Sequence, residues 1–249
     1  NANEIHTSNY YGDCIPKLQQ TLSKAKTDLQ KAKAEAAKTE LNEVISRIES
    51  ANVVYREVKA LPKTLTETEI IQRVGGGDLT EGSCSSLSFA YAGNKCGFDV
   101  LDFRDGQSRF IFSQRATVQS IAEKVGGIVQ REYNDFTNAN GLLQSVSEGK
   151  EYILCVGTHA AIVRKTKAGF EYLELQSPSN NGFKLLTTDE LKKRFGCKRS
   201  HTVTGIKCKA SGFLIDIELL KRDGGFKKLL GYINTEETKQ RKGMAGHKK

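Results

Sequence analysis

Residues 159–176 constrain the fold of this chain more than any other stretch. They read as two β-runs joined by a short loop, and a slip of one residue would turn every side chain to the opposite face. The first run, His159-Ala160-Ala161-Ile162-Val163-Arg164, is bounded by Gly157 and by Thr166-Lys167-Ala168-Gly169. The second, residues 170–176, alternates apolar and polar types with period two, so the pair predicts a β-hairpin. A four-residue loop from Thr166 to Gly169, with Gly169 in the positive-φ position, pairs Lys165 with Phe170 and sets Arg164 against Glu171, a favourable opposite-charge pair. The same register places Gln176 opposite His159 and Glu174 opposite Ala161, all on one face. A polar side chain there would hold the imidazole in a single tautomer. A three-residue loop with a bulge would slip the relation and turn both polar groups away. On an ordinary hairpin Glu171, Glu174 and Gln176 would simply form the solvent face.

An imidazole on a strand becomes chemistry when a nucleophile stands beside it. Residues 75–84, Gly-Gly-Gly-Asp-Leu-Thr-Glu-Gly-Ser-Cys, deliver Cys84 from a glycine-rich loop onto the start of a predicted helix. Leu87, Ala90 and Tyr91 form the apolar stripe of that helix, and Gly97 supplies its stop. A cysteine in a first helical turn lies near unpaired N–H groups and the positive end of the helix dipole, which favour thiolate over thiol. The ordinary alternative is a small buried hydrophobe. Of the four histidines, His6 and His247 lie towards the ends of the chain, leaving His159 and His201. The three glycines lack the Lys-Ser/Thr ending of a phosphate loop, and their expected role is to let backbone approach a substrate beside Cys84.

In order, Gly82-Ser83-Cys84-Ser85-Ser86, the helix through Ala90-Tyr91, Gly97-Phe98-Asp99-Val100, His159-Ala160-Ala161-Ile162-Val163 and Tyr172-Leu173-Glu174-Leu175-Gln176 resemble the papain-fold toxin family. Its domains occur at the C-terminal ends of polymorphic bacterial toxins and in some phage head-morphogenesis proteins. The resemblance covers residues 70–177. It implies an α+β, papain-like fold in which a helix bearing the nucleophilic cysteine packs on an antiparallel sheet, with Cys84, His159 and either Glu174 or Gln176 as catalytic residues. Many relatives carry Asp-Pro-Gln where this chain has Glu174-Leu175-Gln176. The family pattern puts an acid at Glu174, whereas the pairing register favours Gln176. The resemblance also implies a protein substrate attacked at an amide by protease or glutamine-deamidase chemistry, without a cofactor or metal. A peptidoglycan amidase and a non-catalytic phage- or toxin-associated interaction module are the alternatives. An upstream delivery or capsid module and an immunity protein are the implied partners, and secretion or delivery into a target cell the implied setting.

The region before Cys84 has different physics. Leu18, Leu22, Ala25, Leu29, Ala32 and Ala36 make a heptad-like seam, and Leu41, Val44, Ile45, Ile48, Ala51, Tyr55 and Val58 a second stripe, with Thr39 near the change of phase and Pro62 after it. They predict a helical hairpin or one long helix docked on the globular part, so the chain divides into an N-terminal helical region (residues 1–66), a catalytic domain (67–238) and a basic tail (239–249). Further on, Thr187 with Glu190 has the capping-box form and starts a helix expected to run through Phe195, and residues 203–207 and 213–219 read as strands. At 249 residues the chain can bury a real core, and no apolar run is long enough to cross a bilayer. The six cysteines are irregularly spaced and read as reduced thiols; Cys197, His201 and Cys208 do not have a zinc spacing. The net charge of +9 is partly in the tail, but neither stacking aromatics nor a nucleic-acid motif accompanies it, which argues against a nucleic-acid partner.

Overall fold

The computed structural model describes residues 16–29, 40–74, 83–101, 106–176 and 182–233. The glycine-rich loop 75–82, Ala32, Ala36 and Thr39 of the N-terminal region, Cys14 and the basic tail lie outside the described residues. In chain order the elements are α1 (residues 16–29), α2 (Asn42–Ser50), β1 (Lys59–Ala60), α3 (Glu67–Val74), α4 (Ser83–Lys95), β2 (Phe98–Asp99), α5 (Gly106–Ser113), α6 (Arg115–Lys124), β3 (Ile128–Glu132) and α7 (Asp135–Leu143). They continue with β4 (Glu151–Val156), β5 (His159–Thr166), β6 (Gly169–Leu173), β7 (Phe183–Leu185), α8 (Thr188–Lys193), β8 (His201–Val203), β9 (Ile206–Cys208), β10 (Ala210–Asp216), α9 (Ile217–Arg222) and α10 (Phe226–Leu230).

Six strands form one antiparallel sheet in the order β3-β10-β4-β5-β6-β7. Helices cover both of its faces, giving a mixed α+β fold. The alternation of side chains along the central strands divides the interior accordingly. Ile153, Cys155, Ala160, Ile162, Leu173, Phe213 and Ile215 point into one core with α2, α4 and α6; Tyr152, Leu154, Ala161, Val163, Tyr172 and Leu214 point into a second with α7 and Phe195. A strand buried on both faces reads as a continuous apolar run, as residues 152–156 do.

The hairpin has the register read from the sequence: Lys165 pairs with Phe170, Arg164 with Glu171, and Arg164 Nε lies 2.8 Å from Glu171 Oε2. Thr166 and Gly169 also pair, so the turn is tight, and Gly169 has a φ of 124°. The ladder stops at Ile162 and Leu173. Gln176 is therefore not a ladder partner of His159, because the chain leaves the sheet at Glu174. Nor are Glu174 and Gln176 on a solvent face; both are buried.

The helix α4 packs on β5 and is buried all round, from Ser85 to Asn94. Its apolar stripe is thus only part of its buried surface, and the serines opposite are buried too, Ser88 Oγ donating back to Cys84 O at 2.9 Å. Gly97, at a φ of 88°, follows its end. The second N-terminal stripe forms a shorter helix than its spacing suggests. Leu41, Val44, Ile45 and Ile48 enter the core around α4, but α2 stops at Ser50, and Asn52 turns the chain with a φ of 54°, so that Val58 is buried from a segment outside the helix. On α1, by contrast, Leu18, Leu22 and Leu29 are more than half exposed.

Three later elements differ from the sequence reading. Residues 203–207 are not one strand, because Thr204 and Gly205 at φ of 48° and 80° turn the chain between β8 and β9. Residues 213–219 begin as β10 but become α9 where the Asp216 side chain accepts a hydrogen bond from Glu218 N–H and caps a helix. The helix begun by Thr187 ends at Lys193, with Arg194 as its C-cap, rather than reaching Phe195. Thr187 does accept from Glu190 N–H at 3.2 Å, while the Glu190 carboxylate is turned to the Tyr172 hydroxyl. No helix among the described residues is long and apolar enough to cross a membrane.

Candidate active site

Two tight constraints bring the imidazole to its place. Val156 pairs with His159, leaving Gly157 and Thr158 as the turn between β4 and β5. Gly157 has a φ of 59°, and a Cβ there would lie 2.2 Å from Phe195 O, so the position takes only glycine. Thr158 N–H donates to Phe195 O at 2.7 Å, and the Arg115 guanidinium donates to Gly157 O. The turn is thus held from both sides of the sheet just before His159. The buried imidazole packs edge-on against Phe195, the ring centroids 5.1 Å apart.

Cys84 is the second residue of α4 and faces the same cleft as the imidazole, close enough for each to shift the other's titration. Burial pushes the Cys84 thiol up, but the His159 imidazole, the Ala160 N–H and the Ser85 hydroxyl together outweigh it and lower its pKa. Burial likewise opposes the imidazolium, while the Cys84 thiolate and the Glu174 carboxylate favour it and raise the His159 pKa above its ordinary value. The two shifts have the signs expected of a thiolate–imidazolium pair. They also set Cys84 apart among the described cysteines, which are all free. Burial pushes Cys96 up to about 11 and Cys197 to about 12, and raises Cys155 further.

Behind the imidazole stands Glu174. Its Oε2 lies 3.4 Å from His159 Nε2, an ion-pair distance at which that buried nitrogen has no hydrogen-bond partner. Burial opposes ionisation of Glu174, yet His159 and Arg194 together hold the carboxyl well below the usual carboxylate range. Arg194 Nε donates to Oε2, and Nη2 donates to Oε1 at 3.0 Å and to Gln176 Oε1 at 2.6 Å. Gln176 N–H closes the arrangement on Glu174 Oε1 at 2.8 Å. The two candidates for third residue are thus both at the site but in different places: Glu174 contacts the imidazole, and Gln176 contacts Arg194 through its side chain and the Glu174 carboxylate through its backbone N–H.

Arg194 was not legible as a site residue. A basic residue at a helix C-terminus reads as a partner of the helix dipole, and nothing in the spacing links it to a strand twenty residues earlier. His201, the other candidate histidine, is elsewhere: its Nε2 lies 2.9 Å from Asp135 Oδ2, which also accepts from Lys198 N–H. Among the described residues no group of three or more His, Cys, Asp or Glu is placed to hold a metal ion.

A cleft of about 620 Å³ opens on Cys84 and His159. Its other walls are Arg109, Phe110 and Ser113 of α5, Arg115 and Val118 of α6, and Phe213 of β10. A lowered thiol, a raised imidazole and a cleft beside them suit nucleophilic attack on a carbonyl. Comparison with family models, curated proteins and solved structures gives no match for this chain.

Proposed function

We propose that this chain is a papain-like cysteine hydrolase of amide bonds, with Cys84 as nucleophile, His159 as general base and acid, and Glu174 as the group that orients the imidazole. The observation that carries the proposal is the convergence of a first-turn cysteine, a buried histidine and a carboxylate locked by Arg194. In this reading the thiol proton rests on His159 and the thiolate attacks the substrate carbonyl. The oxyanion that forms is met by the backbone N–H of Cys84 at the start of α4. The imidazolium then gives its proton to the departing nitrogen, leaving an acyl-enzyme. His159 next takes a proton from water, the hydroxide attacks the thioester, and Cys84 leaves as thiolate. Ionised Glu174 beside Nε2 favours a proton on that nitrogen, which leaves Nδ1 to serve the sulfur once the contact tightens in the substrate complex. Gln176 acts one step away, by fixing Arg194.

The substrate we propose is a protein of a target cell, cut at a peptide bond or deamidated at glutamine, in keeping with the resemblance to papain-fold toxins. The test exposes a target-cell proteome to the chain and, in parallel, to Cys84→Ala, with mass spectrometry of both. New peptide termini would indicate proteolysis, and glutamine-to-glutamate conversion deamidation. Release of muropeptides from cell walls would replace the protein substrate with peptidoglycan. No product dependent on Cys84 in any of these would favour a non-catalytic interaction module.

A further inference from the structure

The cleft beside Cys84 has an electrostatic character that hydrolysis of an amide does not by itself require. Among the described residues that line it there is neither Asp nor Glu, yet there are two guanidinium groups. Arg115 donates from Nη1 to Ser211 O and from Nη2 to Gly157 O, with its Cζ 5.8 Å from the centre of the Phe213 ring. Carbonyls hold a cation in place without cancelling its charge, so this guanidinium is positioned but not neutralised. Arg109 lies on the same wall, half-exposed and without an ion-pair partner among the described residues. Its neighbour Phe110 is 58% exposed where it borders the cleft, so apolar surface lies open beside the two guanidinium groups.

Resting on the reading of Cys84 as a nucleophile, we propose that this wall is an anion subsite: Arg109 and Arg115 take a carboxylate borne by the acyl donor close to the scissile amide, and Phe110 covers the hydrocarbon that carries it. A planar guanidinium suits a planar carboxylate, because two parallel N–H donors match its two oxygens. Two sources supply such a group, an aspartate or glutamate side chain within a peptide and the free carboxylate at a peptide's end. Either way the substrate is an acidic peptide rather than a basic one, since a cationic side chain placed on this wall would meet the like charges of Arg109 and Arg115.

The probes are two alkylating agents of similar size, anionic iodoacetate and neutral iodoacetamide. The rates at Cys84 are read by mass spectrometry on the whole chain and on the same chain unfolded in denaturant. The subsite predicts a higher iodoacetate-to-iodoacetamide ratio in the folded chain, diminishing with added salt. Arg109→Gln should lower that ratio by about threefold to tenfold, as expected for removing one charge at short range. Arg109→Lys should keep most of it, and Lys221→Gln, exposed near Cys96 beyond the opposite end of α4 from Cys84, all of it. Arg115→Gln gives a second reading of the same kind, with thermal melting to show that the β4–β5 turn still folds. Protection of Cys84 from iodoacetamide then separates the two sources, using N-acetylglutamate amide for the side chain, N-acetylglycylglycine for the chain end and N-acetylglutamine amide as the neutral control. Arg109-dependent protection by either acidic compound supports the proposal. Equal protection by all three compounds, or a fast Cys84 whose ratio ignores both arginines, overturns the subsite and leaves the nucleophile standing. A Cys84 slow towards both reagents overturns the nucleophile reading and the subsite with it.

Discussion

Glu174 is a carboxylate with a side chain 5% exposed, and what keeps it ionised decides how the imidazole behaves. His159 and Arg194 both favour its charged form, so its folded pKa is depressed despite burial. A depressed acid stabilises the fold fully above the ordinary value of about 4.3, and that contribution fades as pH falls below it. Urea titrations at successive pH values should therefore show a stability loss on acidification that is smaller in Glu174→Gln. The same substitution should cut turnover about tenfold to a thousandfold with the fold intact, whereas Gln176→Ala should cost much less. Arg194→Ala leaves the buried carboxylate with only the imidazole; breaking a buried pair costs about 3–5 kcal/mol, and because Arg194 is itself one-third exposed, about 2–3 kcal/mol is expected from chemical denaturation. If Gln176→Ala proved as damaging to turnover as Glu174→Gln, the orienting role would belong to both residues together.

The elements that present these side chains were readable in the sequence to different degrees, for physical reasons. The helix start at Cys84 and the β5–β6 register were legible because local rules dominate there: a positive-φ glycine at position 169 and an Arg164–Glu171 pair fix one register. The choice between Glu174 and Gln176 was not legible, because it depends on the strand ending at Leu173, three residues before simple pairing would have delivered Gln176 to His159. Likewise the break inside residues 203–207 needed the Thr204–Gly205 turn to outweigh the β-branched composition around it. The turn before β5 offers a test at this scale. Gly157→Ala combines a left-handed residue with a backbone atom 2.2 Å from the new Cβ, so it should destabilise by more than about 2 kcal/mol and disturb His159 as well. A Gly157→Ala chain that melts like the parent, with Cys84 equally reactive, would show that the turn does not hold the imidazole.

Across the molecule, the site stands where the two cores meet. Cys84 and α4 belong with the core on one face of the sheet, Phe195 with the core on the other, and the imidazole at the end of β5 touches both. The helix α2, read from the sequence as part of a separate N-terminal region, contributes Leu41, Val44, Ile45 and Ile48 to the same core as Leu87 and Phe89 of α4. Ile48→Ala should thus cost about 2–5 kcal/mol of the stability of the whole unit, monitored equally by fluorescence and by Cys84 protection. Leu22→Ser on exposed α1 should stay within about 0.5 kcal/mol of the parent.

The central claim is that His159 makes a nucleophile of Cys84, and the rate of iodoacetamide alkylation at each cysteine as a function of pH tests it most directly. A lowered thiol paired with a raised imidazole should keep Cys84 reactive at mildly acidic pH, where a free thiol with a pKa of about 8.5 is almost wholly protonated. Cys84 should label first among the cysteines there, and in His159→Gln its rate should fall and its profile move up to that of an ordinary or buried thiol. A Cys84 no faster at acidic pH than Cys197 or Cys208, or one whose profile is the same with and without His159, would contradict the account.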